Sequence, residues 1–396
     1  VTVSARATNL SKSDILGIAV SSFAVGVSDA QATNSGSVNA NLGDGPFLVG
    51  GDLTVSAEAQ ETAQTSSHAS GGAVVLSVNW ATAVSTIGSM VDASLGGAEI
   101  SAGGDVNLSA SRTPTAYAKA YGISVSGTFA VGVVKSSAMV TGDVTATLND
   151  GGTISAASLL VQTAQNLNAA GDSSASAEST SGAGGILSGI DATAAEASIS
   201  GNVTAQVGSN VGLPDGDVSI LATHVGSQAA TATAVAAGGL FAAGGSTATS
   251  SSNVQTKASL GANAGSSSTR AGDLTVIASG HDSNGVDVTA GSGGLVSGSA
   301  AVGKTQNTSS AEADAGGSLR AGDLTLSALY EGDYAIHLDS VNATAVGASG
   351  ASGDNTATTS ATVSLGGDAN LSATGLITIL AQIGMLDADH GGCAHQ

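Results

Sequence analysis

Leu53-Thr54-Val55-Ser56-Ala57 alternates apolar and small polar residues over five positions, and the pattern returns along the whole chain. Close copies are Val106-Asn107-Leu108-Ser109-Ala110, Leu274-Thr275-Val276-Ile277-Ala278 and Leu324-Thr325-Leu326-Ser327-Ala328; looser ones start at Val1, Leu159, Val218 and Leu376. The intervals are 52, 53, 53, 59, 56, 50 and 52 residues. A second marker keeps phase with the first: Val38/Ala40/Leu42, Val91/Ala93/Leu95, Val144/Ala146/Leu148 and Val203/Ala205/Val207, with weaker versions at Thr256, Ala311 and Ala361. Alternation with a period of two marks a strand. Two markers locked to one longer period mark stacked repeats, each unit held by its neighbours.

Between the markers lies a Gly-rich stretch from which a second strand starts: Gly17-Ile18-Ala19-Val20, Gly72-Ala73-Val74-Val75, Gly122-Ile123-Ser124-Val125, Gly184-Gly185-Ile186-Leu187, Gly238-Gly239-Leu240-Phe241 and Gly293-Gly294-Leu295-Val296. Three strands per unit predict an all-β chain, a parallel β-solenoid (β-helix) of about seven stacked units of about 53 residues, right-handed by default. It spans residues 1–380, with 381–396 as a tail or the start of a further segment. The second strand does not resemble the first, so one wide coil per unit is favoured over two ordinary ones. Leu53, Val106, Leu159, Val218, Leu274 and Leu324 are expected in one inward column. The long interval after Leu159 is expected to bulge outward between Gln165 and Gly182. Pro46 and Pro214 fall in the linker to the next unit, and Pro114 near the end of a first strand.

With 10% charged and 2% aromatic residues but a mean hydropathy of +0.27, the apolar content is mostly Ala and Val. That composition excludes a disordered chain. A net charge of −21 argues against nucleic acid and anionic lipid as partners. Cys393 is the one cysteine, so no intrachain disulfide forms. No apolar stretch is long enough for a membrane-spanning helix. No signal peptide or initiator Met is present, and Val1 falls on a marker, so the sequence reads as a segment of something longer. Both ends are expected to be covered by neighbouring repeats or by copies of the chain, because a cut solenoid exposes unpaired strand edges.

No catalytic constellation emerges. Gly-Asp precedes the first strand at Asp52, Asp105, Asp217, Asp273 and Asp323; one carboxylate per unit fits turn chemistry better than a calcium ladder. His68, His224, His281, His337, His390 and His395 share no offset and read as surface or loop residues. The tail Asp387-Ala388-Asp389-His390-Gly391-Gly392-Cys393-Ala394-His395 is the one dense set of metal-ligand types, at a terminus. Trp80, Tyr117, Tyr121, Tyr330 and Tyr334 are too scattered for a sugar-stacking groove. A flat rank of Thr of the ice-binding kind is broken at Asn107, Leu160 and Ser219. The expectation is therefore a non-enzyme with no catalytic or cofactor residues, a metal site left open and calcium as the only candidate ion.

Gly272-Asp273-Leu274-Thr275-Val276, Gly322-Asp323-Leu324-Thr325-Leu326 and Val91-Asp92-Ala93-Ser94-Leu95-Gly96-Gly97 resemble the repeats of large bacterial filamentous-haemagglutinin-like and leukotoxin-family filamentous adhesins. The resemblance covers about residues 1–380. It implies a secreted or cell-surface stalk engaged in attachment, localised extracellularly, with a receptor that the sequence does not identify. The alternatives are a self-assembling homopolymeric fibre and a polysaccharide-processing β-helix enzyme. The enzyme would require clustered acidic residues beside Arg or Lys, and only nine basic residues are present.

Overall fold

The computed structural model describes residues 1–97, 99–166, 174–262, 272–367 and 369–385, and among these it is a parallel β-solenoid with no helix. Each residue pairs with its counterpart one unit on: Thr2 with Thr54, Leu53 with Val106, Val106 with Leu159, Leu159 with Val218, Val218 with Leu274, Leu274 with Leu324 and Leu324 with Ile377. Seven coils follow, and Ile377–Met385 opens an eighth. No described pairing spans half a unit, so each repeat is one wide coil. The column from Leu53 to Leu324 is inward and buried at every level. Among the first-strand markers one register differs from the sequence reading. Leu324 pairs with Ile377 rather than Leu376, so the counterpart of Thr54 in the last coil is Thr378.

Within a coil the chain runs out along one long strand, reverses, and returns along another. In the second coil both belong to the extended segment Leu53–Leu95; in the third they are Val106–Ser126 and Phe129–Thr141, continued by Val144–Leu148. The facing residues fix the reversal. Thr65 Oγ1 meets Ser85 Oγ at 2.9 Å and Ser89 Oγ donates to Glu61, both pairs centred on Val75. The Gly-rich stretch is thus the distal tip of the coil. A Cβ on Gly238 would run into the carbonyl of Phe241, so the chain turns there because the side chain is missing.

The three sides of the coil are not the three read from sequence. The Gly-started stretches end the outgoing strand or form the tip itself, as Gly122–Val125 does at the end of Val106–Ser126 and Gly238 at the end of Val218–Gly238, and the Val-x-Ala-x-Leu marker lies on the return strand. The third side is a short basal strand inside the supposed linker: Phe47–Val49, Glu99–Ala102 and Thr153–Ser155 pair in one sheet, Ser318–Ala321 and Asn370–Ala373 in another. Three or four residues are too few to show a period.

Two apolar clusters fill the interior. The basal one, under the short strands, is built from Leu, Val and Ile, such as Leu53, Leu95, Leu108 and Ile220. The distal one is mainly Ala, including Ala63, Ala83, Ala118 and Ala232.

The surplus in the fourth coil lies between Gln165 and Ala175, because the pairing offset changes from Arg112–Gln165 to Ala116–Ala175. The expected bulge falls mostly on residues 167–173, outside the described residues. Its position explains Pro114, which sits in mid-strand rather than near a strand end. Val106 and Ala116 donate their N–H groups to the fourth coil, at Ser158 and Ser174. Pro114 shares their parity and lies between Arg112, paired with Gln165, and Ala116, paired with Ala175, so its missing N–H falls at the change of pairing offset.

Candidate functional site

Where the two clusters meet, large polar side chains enter the interior. On the outgoing strands the inward parity runs from Leu53 to Glu61, Val106 to Arg112, Leu159 to Gln165, Val218 to His224, Leu274 to Asp282 and Leu324 to Tyr330. All six of these polar groups are buried. Arg112 Nε lies 3.1 Å from Glu61 Oε2, while its two other nitrogens donate to the carbonyls of Gly142 (3.2 Å) and Thr141 (2.7 Å) on the return strand. Burial lowers the Arg112 pKa, and Glu61 works against that shift.

Three coils on, His224 Nε2 lies 3.1 Å from Asp282 Oδ1, Tyr330 donates to Asp282 Oδ2 at 2.6 Å, and Asn307 donates to Tyr330 at 2.6 Å. Burial alone would push the Asp282 carboxyl up, but His224 and the hydroxyls of Tyr330 and Ser309 together hold it below its ordinary value. Burial, with Asp282 second, raises the Tyr330 phenol. Room for these groups comes from glycine in the adjoining coil: a Cβ on Gly226 would strike Asp282, and one on Gly280 would strike Tyr330.

His224 is therefore no surface or loop histidine. Counting inward parity from Val218 places it in the core, and that signal was in the sequence. The seam is sealed, with His224, Asp282 and Tyr330 each at most 1% exposed. Most of these groups bond one another across the seam, while both polar side-chain atoms of Gln165 and Nδ1 of His224 are buried without a hydrogen-bond partner among the described residues.

Farther out, interior hydroxyls bridge the sheets. Ser136 and Ser179 meet at 2.8 Å, and Ser179 donates to the Ala194 carbonyl at 2.6 Å. Asp191 is buried among them, accepting from Ser181 and from the Val235 N–H (2.9 Å). Burial pushes its carboxyl up to about 6, against those hydrogen bonds.

The Gly-Asp carboxylates do bond backbone amides, but those of the next coil rather than their own turn. Asp52, Asp217, Asp273 and Asp323 accept from the N–H of Asp105 (3.0 Å), Asp273 (2.9 Å), Asp323 (2.8 Å) and Leu376 (2.8 Å). Asp105 accepts from Ser158 Oγ at 2.7 Å. Among the described residues no three His, Cys, Asp or Glu side chains are grouped to hold a metal. The tail cluster with His390, Cys393 and His395 lies outside the described residues.

The two outer faces differ. The outgoing face is polar and stitched by ion pairs between coils, such as Arg6–Glu58 (2.7 Å) and Lys119–Glu178 (2.9 Å). His68 stacks near Tyr121 there, while Trp80 stands on the other face and Tyr330 in the core, so the aromatics form no common groove. His281 and His337 lie near acidic residues, at 3.7 Å from Glu331 and 3.2 Å from Asp339.

The return face is apolar toward the tip. One outward column there reads Val27, Trp80, Val133, Ala192, Gly245, Ala300 and Gly350 from first coil to seventh. It passes from bulky to small, and the hollow beside Ala192, Gly245 and Ala300 is an open depression of about 440 Å³. The column nearer the tip repeats the taper: Val25, Val78, Val131 and Ile190 give way to Ala243, Gly298 and Ala348.

No family model, curated protein or solved structure matches this chain. Geometry therefore carries what can be said of function: a sealed polar seam, axial carboxylate ladders and one apolar outer face.

Proposed function

We propose that the chain is a non-catalytic structural segment of an extracellular bacterial surface filament or adhesin stalk, giving reach and stiffness to an attachment device. The observation that carries this reading is the in-register parallel ladder, which runs through all seven coils without a break in pairing order. A ladder of that kind couples each unit to the next through backbone hydrogen bonds, whose strength does not depend on side-chain identity. In the seam Glu61 is engaged by Arg112, and Asp282 by His224 and Tyr330, and at the corners the Asp carboxylates accept from the neighbouring coil, which supports a structural role for these groups.

Labelling of intact cells, with imaging of the native assembly, tests the proposal. A surface-exposed filament containing the segment is the expected result; exclusive recovery from inside cells would overturn it. A uniform fibre with no distinct tip would favour the homopolymeric alternative. Turnover of a glycan panel, lost on mutating one acidic pair, would favour the enzyme.

A further inference from the structure

We infer that the apolar return face is the interface of a two-fold dimer of this chain, distinct from any contact through the solenoid ends. Val27 and Trp80 are 66% and 51% exposed, and Phe23, Phe129, Ile190 and Phe241 beside them stand comparably open. At roughly 150–200 Å² for a large side chain, the exposed residues of the face and tip sum to more than 1,000 Å². That exceeds the ~300–600 Å² patch of an ordinary monomer and reaches the ~800 Å² per partner of a stable interface.

The occupant follows from shape and charge. Coils repeat about every 4.8 Å, so a two-fold axis lying in the face along the strand of the fourth coil sets coil one against seven and two against six. Under that operation Val27 meets Gly350, Trp80 meets Ala300, Val78 meets Gly298, and Ala192 meets its own copy. In these two columns the bulky half enters the hollow half of the same column on the partner, the self-complementarity an isologous interface requires, while at the tip edge Phe129 meets Phe241 and Phe23 meets Val346 as apolar pairs. The indole N–H of Trp80 is already bonded to Thr82 Oγ1 at 2.9 Å, so burying the ring strands no donor. The face between the tip and Val27 carries no charged side chain, and the carboxylate ladders lie at the basal corners. A 20-residue strand places them some 60 Å away, many Debye lengths at physiological salt. Lys135, at the basal edge of the hollow, is the one basic residue lining it, and a single lysine is too few to hold an anionic lipid surface.

Just basal to the face, Glu196 is exposed on the fourth coil, so the axis brings it toward its own copy. Sedimentation of the full chain over a wide concentration range tests the assignment. The expected result is a monomer–dimer equilibrium that stops at the dimer. Trp80→Glu should weaken it at least about thirtyfold, adding Ala300→Lys should restore most of the loss, and Glu196→Gln should tighten it a few fold. Circular dichroism melts verify that each variant is folded. In a Cys393→Ser background, Ala192→Cys should give a disulfide-linked dimer under oxidation. A wild-type chain that stays monomeric at high concentration overturns the inference, as does association unaffected by Trp80→Glu, which would place contact at the ends. Partition of a monomer onto phosphatidylcholine vesicles, lost in Trp80→Glu, would also overturn it and assign the face to lipid.

Discussion

The basal and distal halves of each coil share one backbone ladder and are filled by opposite means. At the base, Leu53, Leu95 and Leu108 meet under a third, short sheet, and apolar area removed from water supplies the stabilisation. Toward the tip no third sheet exists among the described residues. There the sheets close until hydroxyls touch, as Thr65 and Ser85 do at 2.9 Å, and the larger groups Asn79 and Asp191 sit where a glycine beside them leaves room, Gly71 and Gly132. The polar seam marks the change from one regime to the other. Side-chain size thus sets the cross-section while the hydrogen-bonded ladder continues unchanged.

The seam offers the largest break. Arg112→Met should cost about 3–5 kcal/mol, because the Glu61 carboxyl is left buried without its ionic partner. The double variant with Glu61→Leu should recover at least half of that loss in urea denaturation. If Arg112→Met costs under about 1 kcal/mol, the pair does not hold the junction between the halves.

The two fillings themselves come next. Leu108→Ala at the base should cost about 3 kcal/mol through the cavity it leaves. Ser136→Ala in the distal half should cost about 1 kcal/mol, since Ser179 keeps its bond to Ala194. Equal losses would mean that the halves are not held differently.

How much of this was legible follows the same division. The basal marker columns could be read because Leu and Val recur among small residues, and the register confirmed them from Thr2 to Thr325. At Leu376-Ile377-Thr378-Ile379-Leu380 apolar residues occupy both parities, and the reading slipped by one. In the distal half Ala, Ser and Gly replace one another on both faces. Gly17 and Gly122 consequently pair with Ala69, not with the tip glycine Gly72. Glu61, Arg112, His224, Asp282 and Tyr330 all lie on the inward parity of a marker strand. Carrying the alternation past the fifth residue finds them; treating charged residues as surface residues hides them. The bulk gradient from Val27 to Gly350 needed the register first, because it exists only across coils.

Acidity sharpens the comparison from the distal side. Asp191 titrates near 6 in the folded chain, above its unfolded value. Between about pH 4 and 6 the native state therefore binds more protons than the unfolded one, and stability rises as pH falls through that window. The Asp191 contribution amounts to about 2–3 kcal/mol. Asp191→Asn can keep both contacts, with its amide donating to Ser181 and its carbonyl accepting from Val235. It should be the more stable chain at pH 7, and the difference should vanish near pH 4. Parallel stability curves for the two chains from pH 4 to 7 would show that the interior of the distal half is not dry at Asp191.

The smallest effect belongs to the corners, where the chain passes from one coil to the next. Asp217 accepts the N–H of Asp273 at 2.9 Å in an exposed setting, so Asp217→Ala should cost about 1 kcal/mol or less. Because the bond runs along the axis, the loss should appear as faster hydrogen exchange at the Asp273 amide, leaving exchange at Leu108 in the base unchanged. The same variant addresses calcium. If the ladder is only a hydrogen-bonding device, millimolar calcium shifts the melting temperature of wild type and Asp217→Ala by the same small amount. A calcium-dependent rise in the wild type alone would mean that the carboxylate ladder holds cations. The corners would then be a third means of joining coils, beside the packed base and the hydroxyl-bridged tip.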